Sequence, residues 1–164
     1  MIDYEYLRTS PYEIQLREIR ENGKLIQFID NPSDELKDIA VTQVGIAIEF
    51  IDEPSEDLQF KAIRFRSNTI KLIKKPTPAV QEELMREKGF YLRYISNPTY
   101  AAKLAAVTNF PPAIADIEDQ TEDLQLAAIT KDYMAIKHIK SPTQTAINLA
   151  EKLKQEFIQK YKRG

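Results

Sequence analysis

Large aliphatic residues recur along this chain with a constant step of 22 residues. One column contains Leu7, Ile29, Ile51, Ile73, Ile95, Ile117 and Ile139. A second column lies three residues earlier in each repeat and contains Ile26, Ile48, Ile70, Leu92, Ile114 and Ile136. A short period of this kind is typical of proteins built from stacked units, each of which buries its apolar side only against its neighbours. The pattern therefore predicts a repeat protein.

Turn-forming and polar residues follow the same step. Proline occupies one column at Pro32, Pro54, Pro76, Pro98 and Pro142, with Gln120 in the remaining position. The next residue always carries a hydroxyl, at Ser33, Ser55, Thr77, Thr99, Thr121 and Thr143. Because such a hydroxyl can accept a hydrogen bond from the first turn of a helix, this column predicts helix N-caps. The first repeat has the order Ser10-Pro11, which predicts a cap at Ser10 followed by a first-turn proline.

From each predicted cap, apolar residues recur with helical spacing. In one repeat they are Leu36, Ala40 and Val41, which share a face because four and five residues separate the last two from the first. One column is almost entirely alanine, at Ala40, Ala62, Ala106, Ala128 and Ala150. Its one exception is Leu84, between Ala62 and Ala106. The spacing predicts a helix of about 10–12 residues. We expect neighbouring helices to approach most closely at the alanine column.

A third column marks the end of each predicted helix. It contains Gly23, Gly45, Ser67, Gly89, Pro111 and Tyr133. Since glycine has no Cβ, we expect the glycines of this column to close their helices in a left-handed conformation. A second helix of about six residues follows, because the two aliphatic columns are separated by i, i+3 spacing. A proline-marked turn then completes the repeat.

These patterns predict an all-α protein, specifically an α-solenoid of about six to seven two-helix repeats. We expect a single domain over residues 1–164, with an N-terminal cap at 1–10, repeats at 11–142 and a long C-terminal capping helix at 143–162. One face of that capping helix carries Ala146, Ala150, Leu153, Phe157 and Tyr161. The competing leucine-rich β repeat needs an L-x-x-L-x-L run with strand-like alternation. An I-x-x-I spacing after an alanine-rich stretch favours the helical form.

The columns together resemble a known type of short helical repeat. The closest stretches are Asn31-Pro32-Ser33, Asn97-Pro98-Thr99 and the LQLAAI run at 124–129. They are similar to the I-x-N-P-[ST]-x-E-x-Q-x-A-A-[IV] repeats of uncharacterised bacterial and bacteriophage proteins, over about residues 7–150, and more distantly to leucine-rich repeat variants. The resemblance implies an α-solenoid with a binding role and brings no catalytic residues. Departures such as Gln120, Lys61 and Glu83 concern packing.

Composition excludes several kinds of chemistry. A net charge of −2 argues against a bulk affinity for nucleic acid or anionic membranes. The chain has no cysteine and a single histidine, His138, which we expect to be a partly buried filler of the short helix rather than a general base. Phosphate-loop, dinucleotide-binding and zinc-protease motifs do not occur. We therefore expect no enzymatic activity, no cofactor and no metal. The start of the chain lacks signal-peptide features and no 18-residue apolar stretch occurs, so we expect a cytoplasmic protein without membrane partners.

Residues 61–93 form a basic segment between acidic ones. It contains nine Lys or Arg residues and three Glu residues, an excess of +6, and aromatic residues are interleaved with them. The candidate partner-binding residues are Arg64, Phe65, Arg66, Lys71, Arg86, Phe90, Arg93 and Tyr94. Arginine and aromatic residues are enriched at the energetic centres of protein interfaces, so the leading hypothesis is capture of a protein partner. A small phage-encoded inhibitor or sequestering protein acting on a bacterial target is one version of it.

Three other interpretations of this segment stay open. In the first, the basic and acidic repeats neutralise one another along the stack. The basic and aromatic residues are also typical of surfaces that bind RNA or single-stranded DNA. The third is a self-associating structural scaffold. The sequence leaves the oligomeric state undetermined.

Overall fold

The computed structural model describes residues 4–162, with the exception of the Tyr161 side chain. Within these residues the chain is all-helical, and no strand occurs. The α-helices are α1 (Tyr12–Glu21), α2 (Asp34–Gln43), α3 (Glu56–Phe65), α4 (Pro78–Glu87), α5 (Tyr100–Asn109), α6 (Glu122–Lys131) and α7 (Gln144–Lys162). They alternate with 3₁₀ helices η1 (Glu5–Thr9), η2 (Gly23–Phe28), η3 (Gly45–Phe50), η4 (Ser67–Leu72), η5 (Gly89–Tyr94), η6 (Pro111–Asp116) and η7 (Tyr133–His138). The all-α prediction is confirmed.

Each repeat has the same local construction. An α-helix of 10 residues ends in one extended residue, such as Val44 at φ −147° and ψ 102°, and a 3₁₀ helix of 6 residues follows. The second helix is 3₁₀ because its bonds span three residues, as in the 3.1 Å bond from Ile29 N–H to the Ile26 carbonyl. With three residues per turn, residues three apart lie on one face, so both aliphatic columns face the core, and every member except the partly buried Ile136 is buried.

The predicted N-caps are confirmed in four repeats. The hydroxyls of Ser33, Ser55, Thr99 and Thr143 each accept a hydrogen bond from the backbone N–H three residues later, at 3.1–3.4 Å. Thr121 precedes α6 without a side-chain cap bond. The prediction for Ser10 is wrong, because Pro11 lies between it and α1. Its hydroxyl instead donates a hydrogen bond of 2.7 Å to the Tyr6 carbonyl in η1.

The predicted left-handed glycines are also wrong. No described glycine has a positive φ, and the left-handed positions are Asn31 and Glu53, at φ 51° and 49°. Glycine is needed for close approach instead. A Cβ on Gly23 would lie 2.6 Å from the Ala40 carbonyl oxygen, and one on Gly89 would lie 2.4 Å from that of Ala106. At these two positions the close contact is with the backbone of an alanine-column residue, whereas at Gly45 the nearest atom is the Phe65 Cβ, at 2.9 Å. The expectation that neighbouring helices approach most closely at the alanine column stays a prediction.

The chain divides into two compact units, which meet in sequence after Val80. In the N-terminal unit, α2 packs against α1 and α3, while η3 packs against η2 and η4. In the C-terminal unit, α6 packs against α5 and α7, while η6 packs against η5 and η7. Within each unit, successive repeats therefore stack with α-helices beside α-helices and 3₁₀ helices beside 3₁₀ helices. A single domain over the whole chain stays a prediction.

The long helix predicted at 143–162 is present as α7, whereas the capping roles of the two ends stay predictions. Leu7 is fully buried in η1, whereas residues 1–3 lie outside the described part. The helix α7 has 19 residues, nearly twice the length of the others. Ala146 and Ala150 are buried on its repeat-facing side, and Phe157 lies beside Tyr133, with ring centroids 5.8 Å apart and ring planes inclined at 50°. The predicted Tyr161 position on this face lies outside the described side chains.

Candidate interaction surfaces

A column of buried glutamines holds the turns of successive repeats together. The side-chain oxygens of Gln59, Gln81 and Gln125 each accept a hydrogen bond of 2.9 Å from the backbone N–H of the residue 18 positions later. The amide group of Gln59 also donates a 2.9 Å bond to the Pro54 carbonyl. Sequence reasoning missed this column, although the 22-residue step aligns its members. The bonds fix the proline-marked turns, and with them the 3₁₀ helices that carry the exposed aromatic residues.

Four of the predicted site residues lie at the end of α3 and in η4 of the N-terminal unit. The Arg64 guanidinium lies over the Phe60 ring, 4.9 Å from its centroid. Phe65 is partly exposed, but its Cβ occupies space beside Gly45, where an added Cβ would be only 2.9 Å away. Arg66 and Lys71 are exposed. Part of this group therefore packs against its own repeats.

The other four predicted site residues belong to the C-terminal unit, and three of them share η5. Arg86, on α4, forms a 2.5 Å ion pair with Glu82. Arg93 on η5 lies 3.3 Å from the Asp116 carboxylate. Phe90 and Tyr94 are 43% and 42% exposed, respectively. The two aromatic residues thus present large apolar surfaces to solvent, whereas both arginines already have carboxylate partners.

The rings around η5 form a cluster that the sequence did not predict in full. Phe90 lies 4.5 Å from Tyr91 and 6.2 Å from Phe110, the latter in an edge-on arrangement at 81°. Tyr91 also contacts Tyr94, with centroids 5.9 Å apart. Small residues occupy the Tyr91 column in neighbouring repeats, at Ala47, Thr69, Ala113 and Ala135. A tyrosine there brings a further ring to the surface. We call these four rings, Phe90, Tyr91, Tyr94 and Phe110, the η5 aromatic surface.

Ion pairs between neighbouring repeats neutralise much of the predicted positive charge. Lys61 pairs with Asp38 in the preceding repeat and with Asp57 in its own, the latter at 2.9 Å. Lys74 pairs with Asp52 at 3.1 Å, across 22 residues. Hydrogen bonds to Asp38 and Asp57 raise the pKa of Lys61 above its ordinary value. These pairs favour the charge-neutralisation interpretation and weaken the nucleic-acid interpretation, which depends on free positive charge.

A shallow groove on the α-helical side of the C-terminal unit was also missed. Its volume is about 490 Å³, and its floor consists of Ala101, Leu104, Ala105 and Thr108 from α5. Leu104 is 36% exposed. In the N-terminal unit, 44 residues earlier, the four equivalent positions are Asp57, Phe60, Lys61 and Arg64. Three of the four are therefore charged there. Glu82, Arg86, Asn109 and Lys131 form the polar rim of the groove. The apolar floor between them matches no sequence motif that would have indicated the groove.

The described residues contain little that points to chemistry at a site. No group of three or more His, Cys, Asp or Glu side chains in residues 4–162 is placed to hold a metal ion. In the same part of the chain, no helix combines the length and the apolar character needed to cross a membrane. His138 was expected to be partly buried, but it is exposed at the end of η7. The buried residue at this end of η7 is the next one, Ile139.

No family model, no curated protein and no solved structure matches this chain. The geometry of its surfaces is therefore the basis for any functional conclusion.

Proposed function

We propose that this protein is a non-enzymatic protein-binding module and that the η5 aromatic surface is its main contact region. The observation that carries the proposal is the pair of exposed rings, Phe90 and Tyr94, within a cluster of four aromatic residues. Aromatic residues dominate the energetics of protein interfaces because each buries a large area at a low cost in side-chain entropy.

The aromatic surface rests on a rigid support, which favours binding. Leu92, in the middle of η5, is 1% exposed and anchors the helix in the core. Ring contacts between Phe90, Tyr91 and Tyr94 restrict the rotation of each side chain. Preorganisation of this kind lowers the entropy lost when a partner binds. The surface can therefore bury apolar area on a partner without first having to order itself.

The basic residues have a secondary role in the proposal. Arg86 and Arg93 lie in exposed ion pairs, and such pairs contribute little net energy. At the rim of an interface they orient an approaching partner and affect the association rate more than the affinity. Arg64, Phe65, Arg66 and Lys71 of the N-terminal unit are proposed as an additional contact region. A protein that acts through contact alone would serve as an inhibitor or a sequestering protein.

We also propose that the repeats continue through both units as one α-solenoid. The 22-residue step of the aliphatic, proline and hydroxyl columns runs across the boundary between the units, and the alanine column keeps its spacing with Leu84 in place of alanine. The helix α4, which spans the boundary, begins at Pro78 and has a length of 10 residues, like the other repeat helices. Stacks of this type present extended surfaces to partners.

The binding proposal can be tested by capture on immobilised protein. Bacterial lysate is passed over the wild-type chain and over the double variant Phe90→Ala/Tyr94→Ala, and retained proteins are identified and then titrated. We expect the double variant to bind at least about 30-fold more weakly, because truncation of interface hot-spot residues costs about 2 kcal/mol or more. The matched control is Ile46→Ala/Phe50→Ala, which truncates the same two columns in η3, where Phe50 is 37% exposed.

Two results would overturn the proposal. Equal affinity of the wild type and the Phe90→Ala/Tyr94→Ala variant would remove the η5 aromatic surface as the contact region. Retention of RNA or single-stranded DNA, weakening steeply with salt, with no protein retained, would replace protein binding by nucleic-acid binding. Thermal unfolding of each variant checks that the fold is intact.

A further inference from the structure

An open groove lies between η7 and α7 at the C-terminal end of the last repeat. Its volume is about 350 Å³, and its apolar lining consists of Tyr133, Met134, Ile136, Ile147 and Ala150. Met134 is 45% exposed. Lys137, Glu151 and Lys154 form the charged rim. This surface is separate from the η5 aromatic surface, and the inference drawn from it is independent of the proposed function.

Earlier repeats of the C-terminal unit fill the equivalent place with the next 3₁₀ helix. There η6 packs against both η5 and α5, and η7 packs against both η6 and α6. As a result Leu92 and Ile114, in the column of Ile136, are at most 1% exposed. Ile136 itself is only partly buried, because no 3₁₀ helix follows η7 within the described residues up to 162. The groove therefore has the shape and lining of a site for one more 3₁₀ helix.

The chain carries a segment in register with that missing helix. Residues 155–161 lie 22 residues after η7 and Ile139, and they place Ile158 in the column of Ile136 and Tyr161 in the column of Ile139. This is the same i, i+3 spacing that every 3₁₀ helix of the protein uses. The last residues of the sequence thus match the groove by the same pattern that joins the repeats.

The segment does not fold back into the groove of its own chain. The helix α7 runs unbroken from Gln144 to Lys162, whereas the other α-helices end after 10 residues. Around the expected break the sequence is Leu153-Lys154-Gln155-Glu156, and these four residues are all strong helix formers, which favours a continuous helix. At 1.5 Å per residue, the eight residues 155–162 extend the helix by about 12 Å. Apart from Phe157, whose ring lies 5.8 Å from that of Tyr133 at the edge of the groove, this stretch continues along the helix axis and does not turn back into the groove.

We propose that the groove between η7 and α7 receives residues 155–162 of a second copy of this chain, and that the exchange is reciprocal. Two chains then form a symmetric dimer through their C-terminal ends. The contact places an α-helical segment where the earlier repeats place a 3₁₀ helix, with Ile158 of one copy against Ile136 and Met134 of the other. Glu156 of the entering segment has a charge opposite to that of Lys137 and Lys154 on the rim.

The proposal predicts a concentration-dependent mass for the full chain. In sedimentation velocity between about 1 and 200 µM, we expect the mass to rise from 18.9 kDa toward twice that value. Met134→Glu, in the groove, and Ile158→Glu, in the segment, should each return the protein to a monomer. Met134 is already exposed, so its substitution leaves the core intact. Leu104→Glu, at an apolar site on α5, is the matched control and should keep the dimer.

Cysteine cross-linking identifies the occupant directly, because the chain has no cysteine of its own. A mixture of the Met134→Cys and Ile158→Cys variants should form an interchain disulfide under mild oxidation. A wild-type chain that stays monomeric at all concentrations would overturn the proposal, as would a dimer that both glutamate variants leave unchanged. An intrachain disulfide in the double-cysteine chain, without any interchain product, would show that the segment folds back into its own groove and would also overturn it.

Discussion

The side-chain oxygen of Gln59 accepts a 2.9 Å hydrogen bond from the backbone N–H of Thr77, at the start of the next repeat. The same bond joins Gln81 to Thr99 and Gln125 to Thr143. Each glutamine is nearly buried, so its polar atoms have to be paired inside the protein. The register between successive repeats is therefore fixed by a specific polar contact in addition to apolar packing.

The contribution of this contact can be measured with Gln59→Met, which keeps the side-chain volume but removes both hydrogen bonds. The N–H of Thr77 and the carbonyl of Pro54 then lose their partner. We expect the free energy of unfolding to fall by about 1–3 kcal/mol, the cost of leaving such groups unsatisfied. Gln27→Met is the control, since Gln27 makes only an exposed bond to Lys24. A change equal to that of the control in urea unfolding would show that the bond does not stabilise the stack.

The glycine column gives a prediction about space rather than about backbone conformation. Gly89 has an ordinary negative φ, but a Cβ there would lie 2.4 Å from the Ala106 carbonyl oxygen. We expect Gly89→Ala to destabilise the protein by about 1–3 kcal/mol, because the backbone of the next repeat must shift. Ser96→Ala, in an exposed turn, is the control. A neutral or stabilising effect of Gly89→Ala in thermal unfolding would contradict the packing described for this column.

The ion pairs of Lys61 predict a pH dependence. Hydrogen bonds to Asp38 and Asp57 raise the folded-state pKa of Lys61 above 10.5, so the native state holds the proton more tightly than the unfolded state. The resulting stabilisation is present below pH 10.5 and is lost as the pH rises through the folded-state pKa. We expect the stability difference between the wild type and Lys61→Met to be larger at about pH 8 than above pH 11. A difference independent of pH would contradict this assignment.

Local patterns in the sequence predicted the elements well. The caps at Ser33 and Thr99 and the i, i+3 aliphatic pairs depend on neighbours within one repeat, and their spacing is visible in the chain. Features that join different repeats were predicted less well. The role of Gly89 depends on Ala106, which lies 17 residues away in sequence, and no local rule indicates that their backbones approach. The hydrogen bond between Gln59 and Thr77 likewise depends on how successive turns pack, so the spacing of the two residues alone does not indicate it.

The candidate site shows the same difference between local features and features that depend on packing between repeats. Exposure of Phe90 and Tyr94 agrees with their selection from the sequence, because they occupy variable columns of a short helix. The pairing of Arg93 with Asp116 was not predicted for the individual residues, since it depends on how η5 and η6 pack. The number of charged residues in a segment does not indicate which of them form ion pairs with neighbouring repeats.

The proposed continuous solenoid can be tested by small-angle X-ray scattering extrapolated to zero concentration. A compact globule of this length has a radius of gyration of about 15 Å. Seven layers stacked about 9–10 Å apart would instead give a radius of about 20 Å. We expect the larger value. A radius close to that of the globule would contradict the continuous stack.

The most direct test of the functional account is hydrogen–deuterium exchange of the protein with and without the partner that it captures. The account predicts slower exchange on binding in residues 89–94 and around Phe110, while residues 45–50 of the equivalent helix η3 stay unchanged. Protection confined to other parts of the chain, with exchange in 89–94 unaffected, would contradict a binding role for the η5 aromatic surface.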